Sequence, residues 1–92
     1  MPRLSQSKRD KIAEQLLHYL FTVAPEAQFT NAIAREIARD EEFTHALLLE
    51  LQQKKLVIEV AKNKDGKDYK KRRRWRLSNE VYEIYKKHQR TT

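Results

Sequence analysis

The single glycine of this 92-residue chain constrains its fold more than any other residue. Gly66 follows Asp65, and an Asp-Gly pair between two strand-like runs is a strong signal for a tight hairpin turn. Residues 56–60, LVIEV, are rich in β-branched side chains, and residues 69–77 form the predicted returning strand. The rest of the sequence has helical periodicity, so one β-hairpin is predicted within a mainly α-helical chain.

The same hairpin concentrates the charge of the chain. Residues 62–76, KNKDGKDYKKRRRWR, hold nine Lys or Arg against two Asp, and their balance of +7 equals the net charge of the whole chain. We call this stretch the basic segment. Charge gathered on one short element suits a polyanion, and nucleic acid is the expected one.

A turn at Asp65-Gly66 also predicts the register of the hairpin. The predicted cross-strand pairs are Lys62 with Tyr69, Val60 with Lys71, Ile58 with Arg73, and Leu56 with Trp75. Strand alternation then separates a core face from a basic face. The core face carries Leu56, Ile58, Val60, Trp75 and Leu77, and the basic face carries Arg72, Arg74 and Arg76. This parity favours a core role for Trp75 over a base-stacking platform, whereas Tyr69 either packs under the hairpin or stacks outward.

The first and last helices are predicted from apolar residues at three- and four-residue steps. Helix one covers residues 7–23, starts with Ser7 and Asp10 as a capping box, and ends before Pro25. The last helix follows Ser78 as its N-cap, and its stripe is Val81, Ile84, Tyr85 and His88. One domain over residues 7–90 is expected, with mobile ends at residues 1–6 and 91–92.

Helices two and three are predicted to follow each other after a very short turn. Thr30 is the predicted N-cap of helix two, which ends near Arg39 and turns inward the residues Ile33, Ala34, Ile37 and Ala38. Asp40 is the predicted N-cap of helix three, and the acidic residues after it complement the helix dipole. Helix three runs to about Lys54 with the buried stripe Thr44, Leu47, Leu48 and Leu51.

Composition excludes several classes of site. Without cysteine there is no thiolate nucleophile or thiolate metal site, and one glycine cannot form a glycine-rich phosphate loop. Glu41 and His45 have metal-ligand spacing but no third ligand, so no metal, cofactor or catalytic residue is predicted and an enzyme is not expected. No apolar run approaches the ~20 residues that span a bilayer, and a cytoplasmic protein is expected.

The order helix, helix, helix, hairpin, helix, together with FTNAIAREIARDEEFTHALLLELQQKKLVIEV and RRRWRLS, resembles the winged helix-turn-helix domains of bacterial and archaeal transcription regulators. The resemblance covers residues 8–90. It implies that helix three, residues 41–54, enters the DNA major groove and that the hairpin, residues 56–77, is a wing along the backbone or minor groove. This family usually has Gly where the chain has Lys55, which predicts an unusual backbone angle or a longer helix.

Candidate contacts with DNA follow from this resemblance and from the charges. In the wing they are Lys64, Lys67, Lys70, Lys71, Arg72, Arg73, Arg74 and Arg76. On helix three they are His45, Gln52 and Gln53, which can reach base edges. Near the starts of helices one and two, Lys8, Arg9, Thr30 and Asn31 are candidates for contacts with the phosphate backbone.

The expected function is a small transcriptional regulator that binds double-stranded DNA as a homodimer. The dimer candidates are the apolar residues of the last helix, Val81, Tyr82, Ile84 and Tyr85. Two alternatives stay open. A protein-interaction module is favoured by acidic Glu41 and Glu42 beside Leu49 on helix three, and RNA binding is compatible with the same basic wing.

Overall fold

The computed structural model describes residues 5–60 and 73–90, apart from the side chains of Gln89 and Arg90. Its elements in chain order are α1 (Gln6–Val23), β1 (Gln28–Phe29), α2 (Thr30–Glu36), α3 (Glu41–Gln53), β2 (Val57–Val60), β3 (Arg74–Leu77) and α4 (Asn79–Arg90). The predicted mainly α-helical class and element order are confirmed. β1 was not predicted, because two residues are too few to show any periodicity.

α1 begins one residue earlier than predicted because a different serine caps it. The hydroxyl of Ser5 accepts a hydrogen bond from the Lys8 amide at 3.3 Å, so the predicted cap at Ser7 is wrong. Ser7 lies inside the first turn, and Asp10 accepts instead from the Gln6 side chain at 2.8 Å. Residues 1–4 and 91–92, where mobile ends were predicted, lie outside the described residues.

The turn between α2 and α3 is longer than predicted. α2 ends at Glu36 rather than near Arg39, and Ala38, predicted to face inward, is exposed with φ of 56°. The predicted cap of α3 is confirmed, because Asp40 Oδ1 accepts from the Phe43 amide at 2.6 Å. After α3, Lys55 has φ of 64°, which confirms the unusual backbone angle expected where a glycine is missing.

The three strands form an antiparallel sheet in the order β1-β3-β2. The β2–β3 pairs are Val57 with Leu77, Ile58 with Arg76, Glu59 with Trp75, and Val60 with Arg74. The predicted register is therefore wrong by three residues, and Val57 and Glu59, rather than Leu56, Ile58 and Val60, share the face of Trp75. Arg74 and Arg76 lie on the opposite face from Trp75, as predicted. The Asp65-Gly66 turn and residues 69–72 lie outside the described residues.

One apolar core joins all four helices to the sheet. Its buried members are Ile12, Leu16, Leu17, Leu20, Ile33, Ile37, Leu47, Leu48, Leu51, Val57, Trp75, Leu77 and Val81. Trp75 is 0% exposed, and its indole N–H donates to the Thr30 hydroxyl at 2.9 Å. The Ser78 hydroxyl accepts from the Val81 amide at 3.3 Å, which confirms Ser78 as the cap of α4. Within residues 5–60 and 73–90, no helix has the length and apolar character needed to cross a membrane.

Candidate nucleic-acid interface

Arg73 connects the basic segment to the accessible surface of α3. Its Nε lies 3.0 Å from a carboxylate oxygen of Glu59 on β2. Its terminal nitrogen NH1 lies 3.3 Å from Nε2 of His45 on α3. β3 begins at the next residue, Arg74, so Arg73 lies at the edge of the described sheet, beside α3.

Arg74 and Arg76 contact their own domain. The guanidinium carbon of Arg74 lies 5.9 Å from the centre of the Phe29 ring, within cation–π range, and the side chain is half-buried. Arg76 donates to the Leu77 carbonyl at 3.2 Å and to the Asn79 amide oxygen at 3.3 Å. The other predicted wing contacts, Lys64, Lys67, Lys70, Lys71 and Arg72, lie outside the described residues.

The surface of α3 that was predicted to face DNA is accessible. Glu41, Glu42, Ala46 and Gln53 are exposed, and His45 and Gln52 are half-buried. Leu49, in the middle of this surface, is 37% exposed. The His45 ring packs edge-on against Trp75, with ring centres 6.2 Å apart at 61°. Trp75 itself is fully buried, so the core interpretation is confirmed and the base-stacking alternative is wrong.

Two residues predicted to contact the DNA backbone have other partners inside the domain. Thr30 is the first residue of α2 and Phe29 is the N-cap, so the predicted cap at Thr30 is wrong. Thr30 is 8% exposed and its backbone N–H donates to the Arg73 carbonyl at 3.2 Å, so this N–H is not available to a phosphate. Arg9 donates twice to one carboxylate oxygen of Glu50, from Nε at 3.0 Å and from NH2 at 2.6 Å. Its charge is thus compensated, contrary to the expectation that it adds attraction for phosphate. Lys8 and Asn31 are exposed.

Comparison with solved structures identifies the fold. The structure resembles the DNA complex of MepR from S. aureus, with a TM-score of 0.71 and 20% identity, over 90% of this chain and 65% of that one. This chain has the winged-helix fold. The apo-Zalpha domain of zebrafish PKZ matches its winged helix with a TM-score of 0.62 and 19% identity, over 78% of this chain and 98% of that one.

Lactococcus lactis ZitR also matches this winged helix, with a TM-score of 0.59 and 18% identity, over 80% of this chain and 48% of that one. No protein-family model and no curated protein matches the sequence. The chain spans about two thirds of the MepR chain and about half of the ZitR chain. At these identities, the likeness concerns the arrangement of helices and strands.

The dimer candidates on α4 of the winged helix divide into a buried and an exposed group. Val81 is 8% exposed and belongs to the core of its own chain, so it is removed from the predicted interface. Tyr82 and Tyr85 pack on Phe21 of α1, with ring centres 5.5 and 5.4 Å apart. Burial and the Glu14 carboxylate raise the pKa of Tyr85, so its phenol is uncharged at neutral pH. Ile84 is 56% exposed.

Acidic partners of the arginines were not predicted from the sequence. Glu59 and Glu50 are these partners, and Glu59 could have been found only with the correct register of β2 against β3. Across residues 5–60 and 73–90, no group of three or more His, Asp or Glu side chains is placed to hold a metal ion.

Proposed function

We propose that this winged helix is a cytoplasmic DNA-binding protein, a small transcriptional regulator that holds duplex DNA between its basic segment and α3. The observation that carries the proposal is the 3.3 Å contact between Arg73 of the basic segment and His45 of α3. An accessible α-helix fits the major groove of duplex DNA, and a neighbouring cationic element can contact the phosphates of the same duplex. The similar fold of MepR, which was solved in complex with DNA, supports this proposal.

The contacts of the described arginines suggest that some cations of the basic segment anchor it and others contact phosphates. Arg73, Arg74 and Arg76 all contact their own domain, so we assign them to anchoring the segment. The cations before them supply the phosphate contacts in this proposal, namely Lys62, Lys64, Lys67, Lys70, Lys71 and Arg72. His45, Gln52 and Gln53 supply contacts with base edges, and glutamine can pair with adenine through two hydrogen bonds. Lys8 and Asn31 add backbone contacts.

Binding to a fluorescently labelled duplex of mixed sequence tests the proposal by anisotropy. If about five phosphates are neutralised, the logarithm of the association constant should fall against the logarithm of salt concentration with a slope near −4.5. A single-stranded RNA of the same length is the comparison for the RNA alternative. Absence of duplex binding at low salt would refute the proposal and favour the protein-interaction alternative.

We propose further that two chains associate through α1 and α4. The aromatic cluster of Phe21, Tyr82 and Tyr85 joins α1 to α4, and Ile84, which precedes Tyr85 on α4, is 56% exposed. We assign these four side chains to the association surface. A second copy on this surface would present a second basic segment to a second half-site of the DNA.

Replacing Ile84 with glutamate should therefore shift the protein to monomers without unfolding it. A charge on a surface that must lose its water on dimerisation opposes association, whereas a residue that is 56% exposed contributes little to the monomer core. Sedimentation velocity over a concentration series measures the change. Leu49→Glu is the matched control, because Leu49 is the other exposed large apolar residue in the described chain and lies on α3. A mass unaffected by Ile84→Glu, or equally affected by Leu49→Glu, would contradict this interface.

A further inference from the structure

Glu59, Arg73 and His45 form a chain of contacts across three elements of the domain. Glu59 on β2 holds Arg73 Nε at 3.0 Å, and Arg73 NH1 reaches His45 Nε2 on α3 at 3.3 Å. The backbone of Arg73 is held as well, because its carbonyl accepts from the Thr30 amide at 3.2 Å and from the Thr30 hydroxyl at 3.4 Å. Both the backbone and the side chain of Arg73 are thus fixed beside α3.

This chain of contacts favours one of the two neutral tautomers of His45. A guanidinium has five donors and no acceptor, so His45 Nε2 must be the acceptor in its contact with Arg73. A neutral imidazole that accepts at Nε2 carries its proton on Nδ1. The ring packs edge-on against buried Trp75, which restrains its orientation as well. The contact with Arg73 therefore favours the tautomer of His45 with its proton on Nδ1.

Glu59 has a separate role in this arrangement. Its carboxylate compensates the charge of Arg73, and its side chain is only 22% exposed, against 43% for Arg73. The planar guanidinium of Arg73 contacts Glu59 through Nε and His45 through NH1, and two contacts from one rigid plane restrict its orientation. Arg73 is therefore better suited to orienting its neighbour on α3 than to following a mobile phosphate.

We propose that the Glu59–Arg73 pair is a positioning device that sets His45 as a donor for base acceptors in the major groove. This inference rests on the proposed binding of duplex DNA. A single donor suits N7 of guanine or adenine, O6 of guanine and O4 of thymine, and it does not suit the amino group of cytosine. Glu59 and Arg73 then influence sequence choice without touching a base.

The tautomer of His45 tests the first step in the free protein, without DNA. Nitrogen-15 NMR at pH 8, above the usual titration range of imidazole, should show Nδ1–H for His45. Arg73→Ala and Glu59→Gln should both shift the tautomer equilibrium of His45 toward the Nε2–H form. Glu80→Gln, an exposed carboxylate on α4, is the matched control and should leave the tautomer unchanged. An Nε2–H ring in the parent protein would overturn the proposal.

Sequence preference tests the second step. After selection of duplexes from a random library, affinity for the selected sequence is divided by affinity for a scrambled one. Glu59→Gln, Arg73→Ala and His45→Ala should each reduce this ratio about tenfold, the discrimination that one good base contact provides. His45→Asn, whose amide nitrogen takes the position of Nδ1, should retain most of the ratio. His45→Gln, which moves the amide one bond further out, should not.

The outcomes separate this inference from the proposed function. If the parent protein binds duplexes with the expected salt dependence but selects no sequence, the positioning role is wrong and DNA binding stands. If Glu59→Gln changes affinity for all sequences alike and leaves the ratio intact, Glu59 acts only through its charge, which also overturns the inference. If the parent protein binds no duplex, the proposed function and this inference are both wrong. Circular dichroism checks that each variant is folded.

Discussion

Replacing Trp75 with alanine is expected to lower the free energy of unfolding by about 3–5 kcal/mol, the usual cost of truncating a large aromatic side chain in a core. Trp75 is 0% exposed and lies on the middle strand of the sheet, where α1 and α3 both contribute to the surrounding core. A domain of this size has on the order of 5–15 kcal/mol of stability in total. Urea denaturation followed by circular dichroism measures the loss, since the variant has no tryptophan fluorescence.

Thr30→Val provides a graded comparison for the tryptophan variant. Valine has nearly the same shape but leaves the Trp75 indole N–H without its 2.9 Å acceptor, which should cost about 1–3 kcal/mol. Trp75→Phe should fall between the parent and Trp75→Ala. If Trp75→Ala cost less than about 1 kcal/mol, the side chain would contribute little to the core, and its burial in this structure would be wrong.

The helices were predictable because their signals are local. The N-cap at Asp40 and the stripe of Thr44, Leu47, Leu48 and Leu51 depend only on spacing within one helix, and both are confirmed. The errors at helix ends arise where two residues compete for one role. Ser5 and Ser7 both stand near the start of α1, and the hydroxyl of Thr30 is taken up by Trp75, 45 residues away in sequence.

The register of the sheet was not predictable from the Asp65-Gly66 pair. A two-residue turn there pairs Val60 with Lys71, whereas the structure pairs Val60 with Arg74. Because the shift is an odd number of residues, it exchanges the two faces of β2 relative to β3. In the observed register, Val57 is 1% exposed opposite Leu77, on the face of Trp75, and β3 also pairs with β1. Burial of a side chain in the core and pairing with a third strand both depend on distant parts of the chain. The Asp65-Gly66 pair carries no information about either of them.

The candidate interface was predicted in outline but not in the roles of its arginines. Charge and alternation placed Arg74 and Arg76 on the face opposite Trp75, which the structure confirms. Their neighbours, such as Phe29 and Asn79, come from elements whose packing the sequence does not specify. The partner of Arg9 was not predictable either, because Glu50 lies 41 residues away in sequence. Charge alone therefore overestimates how many cations remain for a ligand.

Replacing Lys70, Lys71 and Arg72 together with alanine should weaken binding to duplex DNA by about 500-fold at 0.1 M salt, if each contacts one phosphate. Each phosphate contact releases counterions and contributes about eightfold to the association constant at this salt. The salt slope should fall from about −4.5 to about −1.8, and all sequences should be affected alike. These three residues are preferable to Arg74 and Arg76, whose contacts with Phe29 and Asn79 would mix a loss of stability with a loss of binding.

A variant with alanine at Lys11, Lys86 and Lys87 is the matched control for this test. It also removes three positive charges, from exposed positions on α1 and α4 outside the basic segment, and sedimentation velocity checks that its oligomeric state matches that of the parent. These three lysines are not among the proposed contacts, and exposed charges more than ~10 Å from a ligand are largely screened at 0.1 M salt, so we expect only a few-fold loss of affinity. Equal losses in the two variants would mean that DNA responds to the net charge of the domain and that the basic segment has no special place in binding. A loss confined to Lys70, Lys71 and Arg72 would locate the phosphate contacts beside the anchored end of the segment at Arg73, next to α3.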